Sequence, residues 1–164
     1  MRVLTKEELK KLYDKDFPLW AEINLELLKE KAYELVDWEN LLEEIEDMAR
    51  RHLDSAVSYI AVILEHLYKW DNFRNLAGGD TAGMSWIRSV ENARLRAEVL
   101  LDEYPSLRKK LPEELQKAWK KARTELIIWL KDKDLNPESF NIPMYCPYNY
   151  ETAMMRDLRK EMES

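Results

Sequence analysis

The segment Asp37-Trp38-Glu39-Asn40-Leu41-Leu42-Glu43-Glu44-Ile45-Glu46-Asp47-Met48 decides the fold class, because it opens the longest helical pattern of the chain. No glycine or proline occurs from Trp38 to Trp70, and apolar or aromatic residues recur every three or four positions. That spacing predicts one helix, since such residues share a helix face. The helix would span about 50 Å, more than the roughly 40 Å diameter of a compact domain of this length. We therefore expect it to bend, to break or to protrude for dimerisation.

The remaining sequence predicts an all-α chain that folds as one domain around the long helix. Only three glycines occur among the 164 residues, whereas strands need frequent turn residues. The predicted order is an N-terminal helical pair (1–36), the long helix (37–70), a loop (71–83), two further helices (84–135), and a proline-rich packed tail with a short helix (136–164).

Capping residues mark the helix starts. Thr5 and Glu8 form a capping box, because each side chain can bond the backbone of the other residue. Asp16 precedes a first-turn proline, and Asp37 precedes the long helix. We expect Asn149 or Thr152 to cap the last helix.

Charge and cysteine content restrict the class of protein. The net charge is −6, with 11 Lys and Arg against 18 Asp and Glu in residues 1–82, and 15 against 14 in residues 83–164. The single cysteine, Cys146, permits no internal disulfide, and the amino end lacks a secretory hydrophobic region. No stretch approaches the roughly 18 apolar residues of a membrane helix. These features predict a soluble cytoplasmic protein that does not insert into membranes.

A helical wheel centred on Ile45 separates the acidic residues. Glu43, Glu46 and Asp47 lie at least about 100° from that centre, so their side chains are predicted to be exposed. Glu44 lies at about 100° on the shoulder of the stripe that is predicted to be buried. It is therefore the carboxylate that we expect to meet a buried cationic or histidine group.

Three polar residues fall inside apolar stripes, where polar atoms need partners. They are His52 and His66 on the long helix and Arg94 on the following one. The simplest expectation is a satisfied core, with Arg94 paired to a carboxylate such as Glu44 and each histidine bonded to a carbonyl or hydroxyl. The alternative is a catalytic or ligand-binding cleft formed by the same groups.

Clustered carboxylates raise the question of metal binding. Glu43 and Asp47 lie one helical turn apart, so they could share Mg²⁺ or Mn²⁺ with ligands from a neighbouring helix. The pattern Glu43-Glu44-x-x-Asp47 looks like the first half of the all-α nucleoside triphosphate pyrophosphatase motif, but the downstream Glu-x-x-Asp is missing. A metal-dependent hydrolase of a phosphorylated small molecule is one alternative function. His52 and His66, about 21 Å apart on one helix, cannot bind the same ion.

A basic segment and a cysteine complete the candidates. Solvated helix faces often carry such basic runs, but this one could also contact the phosphates of a nucleic acid, which is a second alternative function. Its residues are Arg108, Lys109, Lys110, Lys117, Lys120, Lys121 and Arg123, opposed only by Glu113 and Glu114. Cys146 lies in a proline-flanked tail, where a thiol more often packs than reacts.

The order of the motifs resembles the family known as domain of unknown function 29. The motifs are Tyr13-Asp14-x-Asp16-Phe17-x-x-Trp20, the acidic run Asp37 to Met48, His66-Leu67-x-Lys69-Trp70, Ser85-Trp86, Arg94, Pro105-Ser106-Leu107-Arg108 and Cys146-Pro147-Tyr148. The resemblance implies a compact all-α bacterial or archaeal protein and transfers no catalytic residue.

Some candidate residues lie at positions that match the family's motifs, and others do not. Where the family usually has Met-Gly-Arg-Ser, this chain has Met48-Ala49-Arg50-Arg51, followed by His52, so His52 is not expected in a family-wide site. Glu44, His66, Lys69 and Arg94 fall on family-like positions and are the candidates for a catalytic or binding site.

No complete set of acid, base and nucleophile emerges from the sequence. Packing and association, by contrast, explain the long helix, its apolar stripe and its acidic face. The leading hypothesis is a non-enzymatic interaction or scaffold module. It would bind a protein partner or self-associate, for example as a homodimer through the long helix.

Overall fold

The structure is a computed structural model that describes residues 4–78 and 83–163, and these contain no strand, which confirms the all-α prediction. No helix in these ranges is long and apolar enough to cross a membrane. The helices are α1 (Lys6–Lys15), α2 (Phe17–Lys29), α3 (Trp38–Asn72), α4 (Met84–Glu103), α5 (Leu107–Lys110), α6 (Leu115–Asp132), α7 (Tyr150–Met155) and α8 (Leu158–Glu163). Short 3-10 turns lie at Tyr33–Leu35, Arg74–Leu76, Leu111–Glu114 and Pro137–Phe140.

The long helix is continuous. α3 contains 35 residues, so it neither breaks nor stops at Trp70. The predicted loop over 71–83 therefore starts too early, because Asp71 and Asn72 still belong to α3. Residues 79–82 of that loop lie outside the described residues. In the tail, the single short helix that was predicted is replaced by two, α7 and α8.

Side-chain caps begin several helices as predicted. The Thr5 hydroxyl accepts the backbone N–H of Glu8 at 3.1 Å, and Asp16 caps α2 by accepting from the N–H of Leu19 at 3.3 Å. Asn149, rather than Thr152, caps α7, since its Oδ1 accepts the N–H of Thr152 at 2.7 Å. These caps satisfy donors that a helix cannot bond internally.

Backbone contacts divide the chain into two compact units, Met1–Arg50 and Arg51–Ser164, which we call the N-terminal and C-terminal units. α3 begins in the first and ends in the second. The prediction of one domain over residues 1–164 stays a prediction.

The N-terminal unit is built around a buried carboxylate at the start of α3. Asp37 is 5% exposed, and its Oδ2 accepts the indole N–H of Trp20 at 2.8 Å. The Asp37 N–H donates to the side-chain oxygen of Asn24 at 2.9 Å. A buried charge needs such partners, so this network fixes α2 against the start of α3. Leu9, Trp20 and Val36 form the buried apolar part of the unit.

The C-terminal unit has an aromatic core between the second half of α3, α4 and α6. Trp119 is fully buried, with its ring 5.4 Å from that of Tyr68, and its indole N–H donates to the carbonyl of Pro143 at 3.0 Å. This bond attaches the proline-rich tail to α6, which agrees with the predicted packing of the tail. Aliphatic residues that are fully or almost fully buried here include Ile60, Ile63, Leu64, Leu67, Leu101, Leu126 and Leu130.

Gly83, immediately before α4, is the position at which we expect a methyl group to be least tolerated. Its φ is +89°, and an added Cβ would lie 2.6 Å from Cζ3 of the buried Trp70 ring. Gly83→Ala should lower the free energy of unfolding by about 3 kcal/mol, from backbone strain plus overpacking. Urea denaturation measures this change.

Gly78 provides the matched control. Its φ is +72°, but no atom in the described parts of the chain, apart from its chain neighbours, lies within 4 Å of an added Cβ. Gly78→Ala should cost only the backbone strain, about 1 kcal/mol. Equal costs at the two glycines would contradict the steric role of Trp70.

Candidate functional site

The apolar face of α3 in the N-terminal unit is exposed. Ile45, predicted as the centre of a buried stripe, is 51% exposed, Leu42 is 53%, Met48 is 60% and Trp38 is 41%. These four residues lie within about 120° of one another around the helix, and we call them the α3 stripe. The prediction of burial is therefore wrong for this part of α3.

The physical reason is that the N-terminal unit uses other faces of α3. α1 is bonded to α3 through the carboxylates, with Lys10 paired to Glu39 and the Tyr13 hydroxyl donating to Glu44 at 2.5 Å. Because these bonds engage residues at least about 100° from Ile45, α1 leaves the apolar face uncovered.

Among residues 4–78 and 83–163, Glu44 has no cationic or histidine partner, so that expectation is wrong. Its carboxylate accepts from Tyr13, and this hydrogen bond raises the pKa of Tyr13 to about 12. Glu43, Glu46 and Asp47 are exposed, as predicted. They form no hydrogen bond or ion pair with other residues in 4–78 and 83–163.

Arg94 caps the end of α7 instead of pairing with a carboxylate. Its three side-chain nitrogens donate to the main-chain carbonyls of Ala153 at 2.8 Å, Arg156 at 2.6 Å and Thr152 at 3.3 Å. The last carbonyls of a helix lack internal partners, and a guanidinium satisfies them well. Arg94 is thus a satisfied structural residue, which corrects the predicted pairing with Glu44.

Glu65, which was not among the predicted site residues, contacts both His66 and Lys69. Lys69 Nζ lies 2.8 Å from Glu65 Oε2 and 4.5 Å from the centre of the Trp129 ring, and its side chain is only 7% exposed. His66 Nδ1 lies 2.7 Å from the carbonyl of Val62, and burial lowers the pKa of His66. The four-residue spacing of Glu65 and Lys69 is the sequence feature that predicts this ion pair.

His52 lies on α3 away from these groups. Its ring stacks on that of Tyr104, with the centres 4.0 Å apart and the planes 17° from parallel. Continuity of α3 keeps His52 and His66 about 21 Å apart, as expected. The two histidines therefore make separate contacts.

A second missed cluster joins α3 to the two tail helices. Arg156 donates to both oxygens of Asp71, at 2.6 and 2.8 Å, and to both oxygens of Glu161, at 2.7 and 2.9 Å. Tyr148 adds a hydrogen bond to Asp71 at 2.6 Å. No short-range sequence pattern predicts this cluster, because Asp71 and Arg156 are 85 residues apart in the sequence.

This cluster lies beside a cleft of about 350 Å³ between α4 and the tail helices. Arg94, Arg156 and Arg159 line the cleft, but all three already have partners, Arg159 through Glu91 at 2.6 Å. The arginines there stabilise the fold of the tail.

Cys146 is held as a packed thiol. Burial raises its pKa, and the thiol donates to the carbonyl of Tyr148 at 3.3 Å. Its backbone N–H donates to the side-chain oxygen of Gln116 at 2.8 Å. A protonated, bonded thiol is a poor nucleophile.

Part of the basic segment is engaged within the fold. Arg108 pairs with Asp102 at 2.6 Å, Lys117 with Asp54 at 3.5 Å, and Arg123 donates to the carbonyl of Ile142 at 3.4 Å. Lys121 donates to the hydroxyl of Ser58, while Lys109, Lys110 and Lys120 are exposed. Nucleic-acid contact by this segment stays a prediction.

The described residues offer no ready-made metal centre. Within 4–78 and 83–163, no three His, Cys, Asp or Glu side chains lie close enough together to hold a metal ion. Binding of Mg²⁺ or Mn²⁺ at Glu43, Glu44 and Asp47 would need ligands from elsewhere, and it stays a prediction.

We predict that Arg156 stabilises the tail in a pH-dependent way. Arg156→Gln should lower the free energy of unfolding at neutral pH by about 2 kcal/mol, through loss of charge-assisted hydrogen bonds. Burial alone would raise the pKa of Asp71, but the bonds from Arg156 and Tyr148 lower it overall, and Arg156 also lowers that of Glu161. Carboxyl groups with lowered pKa values stabilise the fold above their unfolded pKa values and lose this effect as the pH falls through the folded ones.

The difference between wild type and Arg156→Gln should therefore be largest near neutral pH and shrink below about pH 4. Urea denaturation at several pH values checks this. Arg159→Gln is the control: its pair with Glu91 is about half exposed, so solvent screens it and its loss should change stability much less than that of Arg156. A difference for Arg156→Gln that is undiminished in acid would refute the assignment.

Comparison with known proteins gives one match. The family described as "Domain of unknown function DUF29" matches residues 12–158, nearly the whole chain. No curated protein and no solved structure matches it.

Proposed function

The chain belongs to the DUF29 family, whose description assigns no activity, and we propose that it is a non-enzymatic interaction module that binds a helix of a protein partner. The exposed α3 stripe is the observation that carries this proposal. Soluble proteins seldom expose contiguous apolar patches without a use for them.

The spacing of the stripe fits a helical partner. Trp38, Leu42, Ile45 and Met48 recur every three or four residues, which is how one helix packs along another. The stripe is about 15 Å long, or roughly three helical turns. Trp38 is also held in place, because its indole N–H donates to the carbonyl of Tyr33 at 2.8 Å. A fixed aromatic residue beside aliphatic ones is typical of residues that dominate binding energy.

The partners of the candidate catalytic groups favour a binding role for the protein over a catalytic one. Glu44 is bonded by Tyr13, Lys69 by Glu65, and Arg94 by three carbonyls. Each group is thus satisfied by a partner of its own. General acid–base catalysis instead needs groups that share access to a substrate.

We also propose a cytoplasmic location. The single Cys146 is protonated and packed, which suits a reducing compartment.

The stripe can be tested with a synthetic amphipathic helix whose polar face carries only Gln. Wild-type protein should bind this peptide, and Leu42→Ser/Ile45→Ser should weaken binding by about tenfold or more, because two side chains lose apolar burial. Fluorescence anisotropy of the labelled peptide measures the dissociation constant, and circular dichroism confirms that the variant is folded.

Leu95→Ser/Val99→Ser is the matched control. These α4 residues are also aliphatic, also four apart, and 66% and 51% exposed. The control should bind as wild type does. If wild type fails to bind, or if the stripe variant binds equally well, the proposed function is wrong.

A further inference from the structure

The net charge of the protein lies in the unit that bears the α3 stripe. Residues 1–50 contain 8 Lys and Arg against 14 Asp and Glu, which accounts for the whole net charge of −6. Residues 51–164 contain 18 of each kind and are neutral overall. Any partner of the stripe therefore approaches a strongly negative surface.

Three exposed carboxylates of α3 are free to bind: Glu46 borders the stripe, whereas Glu43 and Asp47 lie about 160° from Ile45, on the opposite face of the helix. Glu43, Glu46 and Asp47 are exposed and have no hydrogen bond or ion pair with other residues in the described parts of the chain. Glu46 lies at about 100° from Ile45, at the edge of the stripe. Glu39, in contrast, is already paired with Lys10. The first base after Glu39 on α3 is Arg50, beyond the end of the stripe.

On the basis of the proposed function, we infer that the α3 stripe binds an amphipathic helix whose apolar face is flanked by Lys or Arg. The apolar faces supply contact area, a flanking cation meets Glu46 at the edge of the stripe, and Glu43 and Asp47 add to the negative potential around it. Long basic side chains suit this position because their aliphatic stems cover apolar surface while the charged end reaches Glu46. Charge complementarity of this kind selects partners and speeds their association.

The same negative charges disfavour binding of a second copy of the chain, or of an anionic lipid surface, to the stripe. Two copies of the chain that pair through the stripe would bring two acidic units together, which costs free energy at low ionic strength. An anionic lipid surface would be repelled in the same way. A basic helix is the partner that satisfies both the apolar stripe and the negative charge of the unit that bears it.

Three peptides with one shared apolar face test this inference. Their flanking positions carry Lys, Gln or Glu, and anisotropy gives the three dissociation constants. At about 50 mM salt the Lys peptide should bind about tenfold tighter than the Gln peptide, and the Glu peptide about tenfold more weakly. At about 500 mM salt the Lys preference should fall to about twofold, because the exposed charges are screened.

Two triple variants separate a local effect from one of overall charge. Glu43→Gln/Glu46→Gln/Asp47→Asn should reduce the Lys preference to about twofold and leave the Gln peptide affinity unchanged. Glu22→Gln/Glu26→Gln/Glu30→Gln removes three exposed carboxylates from α2 and the residue that follows it, in the same unit. This control should keep most of the preference.

Each outcome decides a separate claim. Equal affinity for the three peptides would overturn the basic partner and leave the proposed function standing, whereas no binding of any peptide would overturn the proposed function itself. Equal loss of preference in both triple variants would also overturn the inference. So would a dimer, seen by analytical ultracentrifugation, that Leu42→Ser/Ile45→Ser dissociates, because a second copy would then occupy the stripe.

Discussion

The buried carboxylate of Asp37 is the interaction on which the N-terminal unit depends. It lies where α3 begins and accepts the indole N–H of Trp20. The backbone N–H of Asp37 donates to the side-chain oxygen of Asn24. A charge that is 5% exposed must keep these partners, so α2 is fixed against the start of α3. α1 then attaches through two other carboxylates of α3, Glu39 and Glu44. Since these attachments are polar, the apolar stripe remains exposed.

Guanidinium groups have the corresponding role at the other end of the chain. α7 and α8 are six residues each, far below the length at which isolated helices are stable. Arg94 satisfies the final carbonyls of α7, and Arg156 joins the tail to Asp71 at the end of α3. The order of the tail is therefore a result of long-range hydrogen bonds. This also explains why a conspicuous arginine in an apolar stripe is a structural residue.

The parts of the fold that depend on nearby residues are predictable. The all-α class, the existence of the long helix, the caps at Thr5 and Asn149, and the exposure of Glu43, Glu46 and Asp47 all depend on residues within a few turns. The burial of Ile45 was predicted wrongly because a helical pattern identifies an apolar face but not what covers it. Glu65 carried a short-range signal, its four-residue spacing to Lys69, whereas Asp71 and Arg156 carried none.

The sequence by itself thus determined the longer helices of this protein and which face of each is apolar, because helical periodicity and capping act over three or four residues. Only the tertiary structure decided which face is covered and which partner holds each charge. Tyr13 and Glu44 are 31 residues apart and Asp71 and Arg156 are 85 apart, so no local pattern could pair them. The physical reason is that a hydrogen bond or a packed surface requires two segments to meet in space, whereas a helical pattern describes only one.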